Sequence, residues 1–299
     1  MLEPDKNNRL RKSTNITVSN NSSFGETMKL RDFRLDLEAL FSQTLYGHGY
    51  LHYGYWENGN PAHASLESLG KAQAYYFDKL LEKIPEGVNT ILDVGSGTGS
   101  NAAGLIKQGY VVDCVCPSPN LNKIAATKLP ESSKIHECKF EDFENDKNYD
   151  ALIFAESFHY IHADIALKKA LKYCQKHIII FDYFRKEDSE NTQRISHRQF
   201  CHLIQDSFSK DYEIVYDEDV TTKIIPTFFV LDSISNAHFK PFIRTAVARF
   251  KQDHPVYNFL FSKLVNKISY FGNKTSISQQ RFVEKYEYRM MLLSKKQPG

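Results

Sequence analysis

Through the middle of the chain, short apolar runs alternate with stretches whose apolar residues recur at helical spacing. The runs at 90–94, 110–115, 135–140, 149–155 and 177–182 predict strands. Between them the chain reads as helix or loop, and Asn101–Gln108, after the first run, reads as a helix. Alternation at this spacing predicts right-handed crossovers and a mostly parallel sheet covered by helices on both faces. Two later runs, YEIVYDEDV (212–220) and KYEYRMMLL (285–293), predict a closing strand pair. Between these lies an insertion, Thr221 to Glu284, with two stretches of helical period. One carries Phe239, Phe242, Ala246 and Phe250; the other carries Val256, Leu260, Leu264 and Ile268.

The N-terminal part follows a different pattern. Residues 1–27 are rich in Asn, Ser, Lys and Thr and too poor in apolar groups to offset the entropy of ordering, so they predict a flexible tail. A helical face of Leu30, Phe33, Leu37, Leu40 and Phe41 follows, then the aromatic segment LYGHGYLHYGYWENG at 45–59, then a helix from about Ala64 to Leu81. The expected organisation is a tail (1–27), an N-terminal helical and aromatic lid (28–84), and a core (85–299) that carries the insertion 221–284.

Where the first strand meets its helix the chain reads TILDVGSGTG, residues 90–99. Glycines there let the backbone turn sharply and press against a ligand, and the following helix aims its free N–H groups at the same place. The spacing departs from the dinucleotide fingerprint G-x-G-x-x-G. The third glycine comes one residue early, Ser100 stands in its place, and Asp93 sits two positions before the first glycine. A nicotinamide dehydrogenase is therefore disfavoured.

Composition narrows the class. With 41% hydrophobic and 25% charged residues the chain is ordinary for a soluble globular protein. A formal net charge of +2 argues against a general nucleic-acid binder. No apolar run approaches the ~20 residues of a membrane span, and the first residues lack the apolar stretch of a signal peptide. The five cysteines have no metal-ligand spacing, and their odd number suits a reducing compartment. The expectation is a cytoplasmic protein with no metal site. From Asn236 to Lys274 there are seven Lys or Arg and one acidic residue. That segment reads as an amphipathic cap with a solvated basic face, or as one that attracts an anionic substrate or a membrane surface.

Asp93, Gly95, Gly97 and Gly99 together resemble the first motif of class I S-adenosylmethionine-dependent methyltransferases, an acidic residue followed by G-x-G-x-G. The likeness runs in order along roughly residues 40–185 and more faintly to the C-terminus. It implies an α/β fold: a Rossmann-like, mostly parallel seven-stranded sheet with an antiparallel C-terminal hairpin. It also implies that Gly95, Ser96 and Gly97 approach the methionine part of the cofactor. Asp93 would set the turn or reach the amino group through water.

Further positions carry over by the same resemblance. The family's second strand ends in an acidic residue that binds both ribose hydroxyls; here, in VVDCVCPSPN, Cys116 followed by Pro117 occupies that place. Asp113 lies three residues earlier, inside the strand. Asp142 and Phe143, in CKFEDFEND, fit the residues that receive the adenine amino group and pack on its ring. The fourth strand ends in FAESFHYIHAD, which puts Ala155 and Glu156 beside the sulfonium and makes His159 and His162 candidate general bases. Asp182 and Tyr183 close the fifth strand at the same rim and would orient a substrate.

LHYGYWENG, residues 51–59, resembles the entrance motif of a methyltransferase subgroup acting on sterols, amines, sugars and other small metabolites, and more distantly of cyclopropane fatty acid synthases. Carried over, Tyr46, His52, Tyr53 and Trp56 line the methionine side, where aromatic faces stabilise a sulfonium and exclude water. EDVT (218–221), followed by IPTFF, resembles the stretch that contributes to that subgroup's substrate pocket. The implied activity is methyl transfer to a small-molecule acceptor, anionic or lipid-like, at O, N or C. Two alternatives stay open. One is lipid-directed alkylation with peripheral membrane contact, suggested by the aromatic lid and basic insertion; the other is a non-catalytic binding module on the same fold, suggested by Cys116.

Overall fold

A computed structural model of the protein describes residues 49–59, 64–188, 194–266, 269 and 279–296. The tail, the helical face at 30–41 and Tyr46 lie outside them. A seven-stranded sheet forms the centre, in the order β3-β2-β1-β4-β5-β7-β6. Its strands are β1 (Thr90–Val94), β2 (Val111–Val115), β3 (Ile135–His136), β4 (Tyr149–Ala155), β5 (Cys174–Arg185), β6 (Tyr212–Asp219) and β7 (Tyr286–Lys295). The first five pair in parallel. β7 runs antiparallel between β5 and β6 and closes the sheet as the expected hairpin.

Helices join the strands: α1 (Leu66–Glu82), α2 (Ser100–Lys107), α3 (Pro119–Ala126), α4 (Ala163–Tyr173) and α5 (His197–Ser207). Ser65 starts α1 with a capping box: its hydroxyl accepts from the Ser68 amide, and its own amide donates to the Ser68 hydroxyl. Ser196 and Gln199 repeat the arrangement at α5.

Side-chain alternation explains why the inner strands read as continuous apolar runs. In β5, Ile178 and Ile180 face one core with Phe154, Phe158, Tyr173 and Phe200, while Ile179 and Phe181 face the other with Tyr76, Leu80, Phe282 and Tyr288. Both faces are covered, so both sets are apolar. From β1 the chain steps outward to β2 and β3, then returns to β4 on the other side. That reversal opens a crevice at the carboxyl ends of β1 and β4, where ligands of open α/β sheets bind.

Most boundaries shift by a residue or two, and three differences are instructive. β3 is only Ile135–His136, because the Cys138 amide donates back to the His136 carbonyl and the edge strand ends there. β5 is longer than 177–182, because β7 pairs along it as far as Arg185↔Tyr286. The insertion begins with a helix that contains IPTFF: α6 (Thr221–Ile234) continues through a π turn (Ser235–Phe239) into α7 (Lys240–Asp253), then α8 (Pro255–Leu260). A last helix, α9 (Gln279–Lys285), leads into β7. Among the described residues no helix is long and apolar enough to cross a membrane.

An ionic junction fastens α5 to the hairpin. His197 Nε2 lies 2.7 Å from Asp217 Oδ2 and 3.4 Å from Cys201 Sγ, and Arg289 holds Asp217 Oδ1 at 2.6 and 2.9 Å. The Asp217 hydrogen bond pushes His197 up to about 9, so the imidazole is a cation at neutral pH. Two cations on one carboxylate make this a structural junction.

Candidate functional site

The crevice floor is the turn after β1. Gly95 has φ of +77°, and a Cβ there would stand 2.3 Å from the Ser157 Cβ. Only glycine meets both conditions. The Gly95 amide donates to the Val115 carbonyl at 2.7 Å, and the Ser157 hydroxyl donates to the Val94 carbonyl, so β2 and the end of β4 are pulled onto the turn. Gly97, φ +55°, faces Leu51, whose Cδ1 would be 3.3 Å from an added Cβ.

Asp93 lies directly before this turn and is 1% exposed. Its Oδ2 has no hydrogen-bond partner among the described residues. Burial alone pushes the carboxyl up to about 7. An ionised carboxylate in such a place is costly unless a cation or donors reach it.

Residues 49–59 form a strap over the turn. The Thr98 hydroxyl donates to the Gly49 carbonyl, anchoring the strap to the glycine segment. Gln73 Nε2 donates to the His52 carbonyl at 2.7 Å, and the Tyr55 amide to the Ala72 carbonyl at 2.8 Å, fixing it to α1. On the other side Thr227 of α6 accepts from the Gly54 amide (3.0 Å) and the Trp56 indole (2.9 Å). His52 stacks on Tyr76 with centroids 4.0 Å apart, and its Nδ1 donates to the Tyr53 carbonyl. Trp56, expected on the methionine side, instead takes its hydrogen-bond partners from α6.

Glu156 ties the strap to the sheet. It is the one non-glycine residue with positive φ (+57°) among the described residues, a conformation that costs about 1–3 kcal/mol and persists only when its surroundings impose it. Its Oε1 accepts from the Tyr53 amide at 2.8 Å and the Tyr288 hydroxyl at 3.0 Å. Tyr76 and Tyr288 hydroxyls are 3.0 Å apart, and burial pushes both phenols well up, so they act as donors. Ala155, just before it, ends β4 half-buried.

Rings continue from here to the candidate base. Tyr53 packs on Phe228 (4.7 Å), Phe228 on Phe282 (4.4 Å), Phe282 on Tyr183 (5.8 Å), and Tyr183 on His159 (4.3 Å). His159 and Asp182 form a buried pair: Nδ1 donates to Asp182 Oδ1 at 2.8 Å, and the His159 amide donates to Oδ2 at 3.1 Å. This arrangement fixes the ring and its tautomer and leaves Nε2 to accept a proton. His162 stands at the N-cap of α4 instead, half-buried, without a side-chain capping bond.

The β2–β3 side is built differently. Cys116 is 3% exposed, and burial pushes its thiol up, with the neighbouring Ser118 and Gly97 amides pulling the other way. Pro117 is exposed in the turn to α3. Asp113 is occupied inside the sheet by Lys147 (2.8 Å), Tyr149 (2.9 Å) and the Lys134 amide (2.9 Å). Asp142 is exposed. Phe143, expected against adenine, is fully buried between His136, Phe140 and Tyr173, so it has no face for a ligand. Ser96 is half-buried at the turn.

Comparison with known proteins turns on this same region. Residues 92–179 match the family described as Methyltransferase domain. The core has the methyltransferase fold. An uncharacterised methyltransferase of Bacillus cereus (strain 03BB102) is 30% identical over 102 residues, 34% of this chain and 48% of that protein. The chain thus spans about half the length of the curated relatives it matches. Among solved structures, the [4+2]-cyclase SpnF superposes on the methyltransferase core and its additions with a TM-score of 0.62 at 18% identity, covering 90% of this chain and 96% of that one. Geranyl diphosphate C-methyltransferase of Streptomyces coelicolor A3(2), bound to Mg2+, geranyl-S-thiolodiphosphate and S-adenosyl-L-homocysteine, gives 0.59 at 13% identity, covering 87% and 92%.

Local pattern pointed to the glycine turn, Asp93 and the strap. It missed Thr227, Tyr76, Tyr288 and Gln73, whose roles depend on contacts between distant segments. Asp182 and His159 were both singled out, but their pairing was not. Adjacent parallel strands ending at one rim were the signal available for it.

Proposed function

We propose that this protein is an enzyme that transfers a methyl group from S-adenosylmethionine to a small-molecule acceptor at O, N or C. The observation that carries this reading is Asp93, a buried carboxylate with an unpartnered oxygen beside the glycine turn. An α-ammonium is the group that such an oxygen lacks. The residues present fit the cofactor's methionine half, with Asp93 for the ammonium and the Gly95–Gly97 backbone for close approach. Cys116 offers the ribose a thiol where the family pattern has a carboxylate.

The cofactor supplies a methyl on a sulfonium, whose displacement leaves a neutral thioether and needs no acid. The chain's own contribution is placement and dryness, and placement alone can lower a barrier by ~7–11 kcal/mol. The strap and its rings exclude water. Glu156 locks the strap through Tyr53 and Tyr288. His159 Nε2 takes a proton from an oxygen nucleophile, with Asp182 holding the resulting imidazolium.

Cys116 favours a second reading, a binding module without transfer, and the cyclase neighbour is a reminder that fold does not dictate reaction. Acceptor screening separates the two. S-adenosylhomocysteine formed with some nucleophile supports transfer. Tight cofactor binding with no product across O, N and C nucleophiles supports the binding module. No cofactor binding, with NADH as control, overturns both.

A further inference from the structure

Beyond the crevice, α7 and α8 have no buried residue. Yet they and the helical residues after them carry large apolar side chains: Phe242 is 69% exposed, Val256 68%, Phe259 81%, Leu260 65% and Leu264 56%. On α7 the apolar positions Phe242, Ile243, Ala246, Val247 and Phe250 fall within one stripe of less than half the helix circumference. Lys240, Arg244 and Lys251 lie along one border of that stripe, and Arg249 lies on the other, bonded to Asp253 at 2.9 Å. From Lys240 to Val265 there are five basic residues and one acidic. Scattered exposed apolar groups need no explanation, but a contiguous set on helices without a core does.

We infer that the α7–α8 cap docks on an anionic phospholipid bilayer, its apolar stripe in the headgroup–acyl boundary and its basic border on lipid phosphates. The charge selects this occupant. A second copy meeting the same patch across a two-fold would set these cations against one another. A bilayer with acidic headgroups instead meets both features: apolar side chains enter the boundary and each basic residue gains from the surface potential. α6, which holds the strap through Thr227, runs directly into α7, so docking sets the crevice's aromatic wall one helix away from lipid. The inference does not depend on the methyl-transfer reading.

The test is co-flotation of the full chain with vesicles of phosphatidylcholine mixed with phosphatidylglycerol, and with phosphatidylcholine alone. Expected are retention on the mixed vesicles, binding at least about tenfold weaker on the neutral ones, and loss in high salt. The double variants Phe242→Ser/Phe259→Ser and Lys251→Glu/Lys263→Glu alter exposed groups, so folding persists, checked by circular dichroism. Each should weaken retention about tenfold, and the charge reversal should also erase the preference for anionic lipid. No retention on mixed vesicles, or equal retention on both kinds, overturns the inference. So does light scattering that shows a dimer dispersed by Phe242→Ser/Phe259→Ser, which would assign the patch to a second copy.

Discussion

The two sides of the crevice are built to different standards. On the β1–β4–β5 side, the strap, α1, α6, the glycine turn and the ends of β4 and β5 converge. The strap hydrogen-bonds to α1, α6 and the glycine turn, Glu156 clasps it, and His159 is held by Asp182. On the β2–β3 side, the strand is a two-residue stub, the ribose position is a thiol, and the acidic groups are exposed or engaged elsewhere. Under the proposed reading, the amino-acid half of the cofactor would meet a built site and the ribose half mainly backbone. The difference would then concentrate binding energy on the amino-acid end, where chemistry would occur.

The strongest way to break this contrast is Gly95→Ala. It adds a Cβ 2.3 Å from Ser157 at a φ of +77°, and strain with overpacking should cost roughly 2–4 kcal/mol. A melting curve should fall by roughly three to six degrees, and titration should show no cofactor binding. A variant that melts and binds like the wild type would show that the turn is not the tight cradle described.

Next in size is His159→Gln, assayed with an acceptor from the screen. For an oxygen nucleophile, kcat should fall on the order of a hundred- to ten-thousandfold while cofactor affinity holds. Unchanged kcat would leave the His159–Asp182 pair a structural one.

Asp93→Asn sharpens the contrast by separating binding from stability. Loss of a charge-assisted bond should weaken cofactor binding by about ten- to a hundredfold. The same change should raise the melting temperature of the ligand-free protein. The Asp93 carboxyl, at about 7 when folded, lies above its unfolded value of 3.8, so its stabilising contribution is complete below the latter and lost as pH rises through the former. His197 adds a parallel trend: raised to about 9 from 6.5, its contribution is complete below 6.5 and lost as pH rises through about 9. Ligand-free protein should therefore melt at progressively lower temperature from mildly acidic to alkaline buffer, and Asp93→Asn should flatten the lower part of that slope.

The smallest effect belongs to the weak side. Cys116→Asp places a carboxylate at the end of β2 near the Gly97 and Ser118 amides, and should tighten binding up to about tenfold. Unchanged or weaker affinity would mean that the backbone already serves the ribose.

Legibility in sequence followed the range of the interactions. The glycine turn and Asp93 could be read because a strand, an acidic residue and glycines are contiguous. The mostly parallel sheet followed from alternation and the closing strand pair from the two late runs, whereas the strand order rests on pairings between distant segments. Phe143 was placed against adenine by the family pattern, whereas its ring turns inward against Tyr173. The clasp of Tyr53, Glu156 and Tyr288 joins residues 103 and 132 positions apart, which no local pattern reveals. Thr227 sits in the IPTFF stretch, which the resemblance marks for a substrate pocket; it lies inside α6 and holds the strap, a contact 173 positions away.

The most direct test of the central claim is calorimetric titration of S-adenosylmethionine and S-adenosylhomocysteine into wild type and Asp93→Asn at about pH 6 and about pH 8. The account predicts micromolar binding of both to the wild type, tighter at the higher pH by a margin that shrinks in the variant, as Asp93 ionises through about 7. Binding to neither ligand, or equal affinities and equal pH dependence in wild type and variant, would contradict it.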